Sequence, residues 1–304
     1  MRKVFLLITL SVLSYIACNA QKDFPNLKGP YLGQKLPEMV PEVFGPEILQ
    51  PNPIWFWHGS PVFSPDGKEM FLPKYIVANN KGMELWYMKQ KDNVWTPPEK
   101  VSFSGEGDET NPIYSENGNT AYYLSKKAGG PLFRSDRTST GWSEGKGIEW
   151  HLPKNTGWGW EFYFTKKMEL YTELYKDGNF DLYRAIYENG QYKDFENLGG
   201  LINSSGMELA PFVDPNSQYL IFSSDKPEGY GGVDLYISFK DPDGSWGKSV
   251  NMGNIINTAS SEAWPRISPD GKFFFFCRLN KEKRGYQPFW MSAKFIEKLK
   301  PENK

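Results

Sequence analysis

The sequence is poor in the residues that build disulfides and zinc sites. It has 2 cysteines and 2 histidines among 304 residues. Cys18 falls in an apolar N-terminal stretch, which leaves Cys277 without a partner in a mature chain, so a disulfide framework is excluded. Two histidines without a cysteine pair also argue against zinc. The sequence therefore predicts no cofactor and no metal.

Neither sign of charge dominates the chain. Lys and Arg number 35, Asp and Glu number 36, and the formal net charge is −1. Because sequence-independent binding to nucleic acid needs a basic surface, this balance argues against a nucleic-acid partner. No block of like charge marks a linker, so residues 21–304 are expected to form a single domain.

Long apolar runs are missing except at the N-terminus. Arg2 and Lys3 precede the mainly apolar residues 4–17, a run too short to span a bilayer and typical of a signal peptide. Two cleavage sites compete: one after Ala20, and a lipobox-like site that would leave a lipid on Cys18. The sequence thus predicts a signal peptide over residues 1–20 and an exported protein, periplasmic or associated with the outer membrane. It predicts no transmembrane span in the mature chain.

A unit of about fifty residues recurs along the chain. The turn at residues 64–68, Ser-Pro-Asp-Gly-Lys, returns unchanged at residues 268–272, and weaker copies lie between them. Repeats of this size indicate propellers or solenoids, in which one unit cannot bury its apolar face alone. One register position, usually proline, aligns the five copies: Pro61, Pro112, Phe162, Pro211 and Pro265.

Each copy has the strand pattern of a propeller blade. An entering strand leads to a tight polar turn, then to an aromatic-rich strand, and a third and fourth strand complete the unit. Four antiparallel strands per unit predict an all-β, five-bladed β-propeller, with six blades as the alternative. The repeats are expected to start near residues 58, 107, 157, 206 and 260.

The sequence of the fifth unit lacks a fourth strand. Residues 293–300 are short and polar, whereas residues 30–57 precede the first repeat and have no repeat of their own. We expect this N-terminal segment to act as a clasp, in which residues 43–49 supply the outer strand of the last blade and cover its open edge. The alternative is a loose, proline-rich leader.

The repeat resembles a known group of proteins. The pattern Pro-x-x-Ser-Pro-Asp-Gly-Lys followed by aromatic residues is similar to the PD40, or WD40-like, propeller repeat of the TolB-type family of bacterial envelope proteins. Residues 229–236 and both ends of the chain also resemble an uncharacterised single-propeller group of that kind. The resemblance implies a propeller and an envelope location but says little about activity. The third repeat departs from it, because residues 165–168 lack the Ser-Pro-Asp-Gly turn.

Four candidate binding residues, His58, Glu109, Glu208 and Glu262, share one register, three positions before the aligned prolines. In a propeller the entering strand lines the central channel, so these side chains would form a ring at one mouth. Glu161 is near the gap that Gly159 leaves in this ring, and tryptophans lie beside it. The predicted binding residues are His58, Glu109, Glu161, Glu208, Glu262, Trp57, Trp160 and Trp264. The alternative is that the glutamates are structural and bond backbone amides of the blades.

Two functions fit these residues. The first is a binding module of the cell envelope, whose ligand is a glycan or a protein, because carboxylates beside exposed aromatic rings are typical of saccharide sites. The second is a glycan-processing enzyme, a glycosidase or lyase, in which two of the ring carboxylates act as acid and base. That chemistry needs carboxyl groups about 5–9.5 Å apart. The sequence favours the binding module and predicts no catalytic residue.

Overall fold

The structure is a computed structural model that describes residues 24–51, 54–78, 82–105, 108–126 and 131–301. The predicted signal peptide, the alternative lipidation site at Cys18 and the expected repeat start near residue 107 lie outside the described residues. None of the helical segments in the described part of the chain has the length and apolar character needed to cross a membrane.

Within the described ranges, five β-sheets form the five blades of a propeller, which confirms the predicted five-bladed fold over the six-bladed alternative. Blade 1 comprises β2 (Trp55–Trp57), β3 (Val62–Phe63), β4 (Glu69–Ile76), β5 (Gly82–Lys91), β6 (Val94–Trp95) and β7 (Glu99–Lys100). Blade 2 comprises β8 (Thr110–Tyr114), β9 (Thr120–Leu124), β10 (Leu132–Thr138), β11 (Gly141–Trp142) and β12 (Lys146–Gly147). Both β2 and β3 pair with β4, so they form the inner edge of blade 1 together.

The remaining blades repeat this order from the inner strand outwards. Blade 3 comprises β13 (Glu149–Trp150), β14 (Gly157–Phe164), β15 (Leu170–Lys176), β16 (Asn179–Glu188) and β17 (Gln191–Asn197). Blade 4 comprises β18 (Glu208–Val213), β19 (Tyr219–Ser224), β20 (Asp234–Phe239) and β21 (Val250–Asn251). Blade 5 comprises β22 (Glu262–Ile267), β23 (Phe273–Asn280), β24 (Gly285–Ser292) and the N-terminal strand β1 (Glu42–Val43). Blade 3 is complete despite its irregular turn, and β13 extends it by pairing parallel to β17.

The repeated turn is held by its own side chains. Ser64 Oγ donates to Asp66 Oδ1 (2.7 Å), and the amides of Lys68 and Glu69 donate to Asp66 Oδ1 and Ser64 Oγ. Gly67 takes φ +69°, a conformation that favours glycine. These bonds fix a two-strand hairpin, so the motif sets the register between the first two strands of a blade that contains it.

Apolar clusters fill the spaces between neighbouring blades. Phe71 of blade 1, for example, stacks on Tyr114 of blade 2 with ring centroids 4.3 Å apart. Phe164 and Tyr192 pack beside Ile113 and Leu124 between blades 2 and 3. This packing explains the high aromatic content, because flat sheets that meet face to face need large side chains.

The N-terminal segment joins the last blade. Glu42 pairs with Trp290 and Val43 with Phe289, and the amide of Phe44 donates to the carbonyl of Pro288 (2.9 Å). The strand is shorter than expected, since residues 45–49 form a turn rather than continuing along β24. Residues 55–57, which the sequence places in the same segment, pair within blade 1 instead.

Side chains of this segment also enter the core between blades 5 and 1. Its buried apolar residues contact Phe63 and Phe275, and Tyr31 donates a hydrogen bond to Asp270 Oδ1 (3.0 Å) in the last repeated turn. At the other end of the chain, a 3-10 helix at Ala293–Leu299 buries Phe295 and Ile296 between blades 4 and 5.

Candidate functional site

A cavity of about 410 Å³ occupies one mouth of the central channel. Inner-strand residues of several blades line it, among them Thr110, Glu161, Ala210 and Trp264. Aromatic and apolar side chains supply most of the lining, and Trp160 stands at its rim with 59% of its surface exposed. The size and lining fit a small-molecule site, for which volumes of about 300–1,000 Å³ are usual.

Bulges in the inner strands aim side chains into this cavity. Pairing is irregular between Thr110 and Ile113 in β8, and at the equivalent places in β14, β18 and β22. The residues just before the aligned prolines take left-handed conformations there: Asn111 (φ 47°), Ala210 (φ 49°) and Trp264 (φ 54°). Such strain in non-glycine residues is costly and is concentrated at functional sites.

A polar network crosses the channel beneath the cavity. Arg266 is buried and donates to Asn111 Oδ1 (2.5 Å), and its Nη2 lies 3.8 Å from Glu161 Oε2. Trp264 Nε1 donates to Glu161 Oε1 (3.0 Å). On the far side Arg266 and Tyr163 face a second cavity of about 600 Å³. The network therefore separates the two mouths and fixes the Trp264 ring.

Blade 3 builds its part of the cavity differently from the other blades. Gly159 occupies the register of the glutamates, and a Cβ atom on it would lie 2.2 Å from Glu173 Cγ. The Glu173 carboxylate accepts the backbone amides of Trp160 (2.8 Å), Glu161 (2.9 Å) and Ala210 (3.2 Å). A carboxylate from the second strand thus ties the bulged inner strand of blade 3 to blade 4.

Burial shifts the pKa values of three side chains of the cavity, Glu161, Glu173 and His58, towards their neutral forms. Burial raises the pKa of Glu161 to about 8, although Arg266 acts in the opposite direction. Burial likewise raises the pKa of Glu173 to about 7, against the three amide donors that favour its charge. The same cause lowers the pKa of His58 to about 4. In neutral solution His58 is uncharged and Glu161 is mostly protonated.

Among the described residues that line the cavity, three have a buried side-chain polar atom without a hydrogen-bond partner. These atoms are His58 Nδ1, Thr110 Oγ1 and Ser223 Oγ. Each comes from a different blade, and a buried polar group left unpaired costs about 1–3 kcal/mol. A molecule in the cavity that offers hydrogen-bond partners would recover that cost.

Four of the predicted binding residues line the cavity: His58, Trp160, Glu161 and Trp264. The imidazole of His58 packs on the Trp264 ring with centroids 4.3 Å apart. Trp57 does not line it, because its side chain is buried between blades 5 and 1 and donates to the carbonyl of Ile48 (3.4 Å).

Glu109, Glu208 and Glu262 do not line the cavity either. All three are fully buried, and each accepts a hydrogen bond from a hydroxyl in the loop that leads into its own blade. The Glu208 and Glu262 carboxylates accept the backbone amide and hydroxyl of Ser204 and Thr258, respectively. Their common register therefore reflects a repeated contact, in which a buried carboxylate holds the preceding loop by hydrogen bonds. This agrees with the structural role that the sequence left open as the alternative. The bulges explain the difference, because an extra residue changes which side chains face the channel.

Glu208→Gln is expected to lower the free energy of unfolding by about 1–3 kcal/mol, because an amide group would face the donors of Ser204 and Ser224. Urea unfolding of the mature protein measures this change. The exposed Glu282→Gln is the matched control and should leave stability unaltered. Equal stability of the two variants would contradict the role of Glu208 in holding this loop by hydrogen bonds.

Glu161 should make stability fall as the pH rises from 7 to 8. Its folded-state pKa of about 8 exceeds the ordinary value of 4.5, so the folded protein holds a proton that the unfolded chain has lost. The expected slope is up to about 1.4 kcal/mol per pH unit. Glu173, whose pKa is about 7, is half titrated at pH 7 and adds a smaller decrease over this window, whereas His58 in the folded protein is already neutral. Urea unfolding at both pH values should show a smaller slope for Glu161→Gln, and equal slopes would contradict the assignment.

Several residues of the cavity were not predicted from the sequence. Glu173 could have been identified from the sequence, because it is the one acidic residue of the mainly apolar strand β15 and lies opposite Gly159, which interrupts the register of the glutamates. No sequence feature identifies Thr110, Ser223 and Tyr286, since hydroxyl-bearing residues are common throughout the chain. Among the described residues, no group of three or more metal-ligating side chains comes together.

Similar solved structures are propellers. A protein of unknown function from Dyadobacter fermentans matches with a TM-score of 0.52 and 13% identity, over 86% of this chain and 84% of that one. A putative TolB from Agrobacterium tumefaciens matches with a TM-score of 0.49 and 19% identity, over 78% and 77%. TolB from Acinetobacter baumannii matches with a TM-score of 0.48 and 15% identity, over 77% of this chain and 56% of that one.

No protein-family model matches the chain, and no curated protein matches it. The resemblance to the PD40 group of TolB-type proteins stays a prediction. At identities this low, the likeness shows the fold alone. The function has to be argued from the cavity.

Proposed function

We propose that this protein is an exported binding module that takes up a ligand in the cavity at the Glu161 side of the channel. The observation that carries the proposal is the set of three buried, unpartnered polar atoms on His58, Thr110 and Ser223. The three residues line one aromatic-walled cavity that also has an exposed tryptophan at its rim. Convergent polar groups in an apolar cavity are typical of ligand sites.

The carboxyl groups at the cavity support binding better than catalysis. Glu173 is occupied by three backbone amides, and Glu161 accepts from Trp264 beside Arg266. A glycosidase needs one carboxyl group free to donate a proton and a second free to act as base or nucleophile. Neither Glu161 nor Glu173 has that freedom, so we favour a binding module over the glycan-processing alternative.

Export belongs to the same proposal and rests on the basic and apolar residues 2–17. A mature terminus at Gln21, or a lipid on Cys18, found by mass spectrometry of envelope fractions would support it. Intact Met1 on cytoplasmic protein would contradict it.

Thermal-shift screening of the mature protein against saccharides and short peptides tests the binding role. A ligand should raise the melting temperature of the parent protein, as any molecule that binds only the folded state does. The double variant Thr110→Val, Ser223→Val should lose this shift, whereas the exposed Thr138→Val should keep it. A shift that survives in the double variant, or no shift with any compound, would contradict the proposed site.

A further inference from the structure

We infer that the ligand is a neutral saccharide chain, with one sugar ring inside the cavity and the next ring stacked on Trp160. This inference rests on the proposed function and adds the chemical class of the ligand. Three features of the site support a neutral saccharide: its unpartnered polar atoms, its exposed aromatic surface and its lack of cationic side chains among the described lining residues.

The unpartnered polar atoms match sugar hydroxyls. Thr110 and Ser223 carry hydroxyl groups, each of which can donate one hydrogen bond and accept others, and His58 Nδ1 adds a third polar atom from another blade. A sugar ring presents hydroxyls with the same dual character around its rim. An apolar ligand would leave all three protein atoms unpaired, so it fits this cavity less well.

Aromatic rings form the walls between these polar atoms. The ring of Tyr286 meets that of Trp264 edge to face at 4.5 Å, and His58 packs against the same tryptophan. Because the indole nitrogen of Trp264 is held by Glu161, the wall is pre-formed. Rigid aromatic faces pack well against the C–H faces of sugar rings without loss of side-chain freedom.

An exposed aromatic platform continues from the cavity over blade 3. Trp160 packs against Phe180 with ring centroids 5.2 Å apart, and Phe180 packs against Tyr175 at 5.1 Å. Trp160 and Tyr175 are 59% and 45% exposed. Large aromatic side chains exposed together beside a cavity mark a binding surface. The platform extends the site beyond the volume of the cavity, as a chain of sugars requires.

The charge of the site selects against acidic sugars. Among the described residues that line the cavity none is Lys or Arg, and the carboxyl groups of Glu161 and Glu173 lie within it. Arg266 lies below, on the side of the second cavity, where it is bonded to Asn111 and the carbonyl of Pro265. A sugar carboxylate would be buried without a cation, which is costly.

Isothermal titration calorimetry with two matched series tests the inference. One series holds oligosaccharides of glucose, mannose, galactose and xylose with one to four rings, and the other holds oligogalacturonates of the same lengths. At least one neutral series should bind, with affinity that increases from one ring to two. The oligogalacturonates should bind at least about tenfold more weakly.

Trp160→Ala should weaken binding of the two-ring and longer sugars by about tenfold and leave the single sugar within about twofold. Trp158→Ala is the matched control, because Trp158 is on the same strand and 41% exposed but does not line the cavity. Circular dichroism confirms that both variants are folded.

Preference for the acidic series, equal effects of the two tryptophan variants, or no binding of any sugar would overturn the inference. Binding of a peptide that still depends on Thr110 and Ser223 would overturn this inference and leave the proposed function standing. If no ligand depends on Thr110 and Ser223 for binding, both this inference and the proposed function are wrong.

Discussion

Deleting residues 30–50 is expected to abolish stable folding at ordinary temperature. The segment supplies strand β1 and buries Tyr31, Leu32, Phe44 and Leu49 between blades 5 and 1. Burial of each large apolar side chain contributes about 1.5–3 kcal/mol. Their sum is comparable with the whole stability of a typical domain, about 5–15 kcal/mol. Phe44→Ala alone should cost about 3–5 kcal/mol.

Differential scanning calorimetry of the mature protein measures both changes. Val40→Ala is the control, since Val40 belongs to the same segment and is 66% exposed, and its melting temperature should match the parent. A truncated protein that melts like the parent would mean that the segment is a loose leader. The pairing of Glu42 and Val43 with β24 would then have no part in closing the ring.

Glu173→Ala is expected to lower the free energy of unfolding by about 3 kcal/mol or more. The change removes the acceptor of three buried backbone amides, each of which costs about 1–3 kcal/mol when left unpaired. Glu173→Gln keeps one acceptor oxygen, which the amides of Trp160 and Glu161 share. This control variant should lose only about 1–2 kcal/mol.

Gly159 provides an independent check on Glu173. Gly159→Ala should destabilise the parent strongly, because the new Cβ would lie 2.2 Å from Glu173 Cγ and 2.6 Å from its Oε1. The Glu173→Ala background removes the contacts with Cγ and Oε1 but keeps the contact with the backbone oxygen of residue 173, also 2.6 Å away. The same change should therefore cost less in this background without becoming neutral, and a double-mutant cycle should give a coupling energy. Additive effects in urea unfolding would show that the two positions do not compete for this space.

The blades could be predicted from sequence because their signals are local. The Ser-Pro-Asp-Gly turn encodes its own hydrogen bonds, as at Ser64 and Asp66, and the alternation of aromatic residues follows from the strand period. The complete third blade was harder to predict, since its turn uses Met168 at φ 60° in place of glycine. Pairing with β16 and β17 stabilises that blade regardless of its turn.

The site could be predicted only in part, because bulges are not visible in a single sequence. Glu109, Glu208 and Glu262 do share one register, three residues before the aligned prolines. The prediction that they face the channel assumed that side chains alternate regularly between the two faces of the inner strand. The bulged residues Ala210 and Trp264 interrupt that alternation. Side chains of the second strand, such as Ser223, then reach the cavity where the sequence predicted carboxylates.

A crystal structure grown with the neutral oligosaccharide that most raises the melting temperature is the most direct test of the ligand site. We expect a sugar ring beside Trp264, within hydrogen-bond distance of Thr110 Oγ1 and Ser223 Oγ, and a second ring on Trp160. Sugar density in the other mouth, next to Tyr163 and Arg266, or on the outer surface of the blades would contradict it.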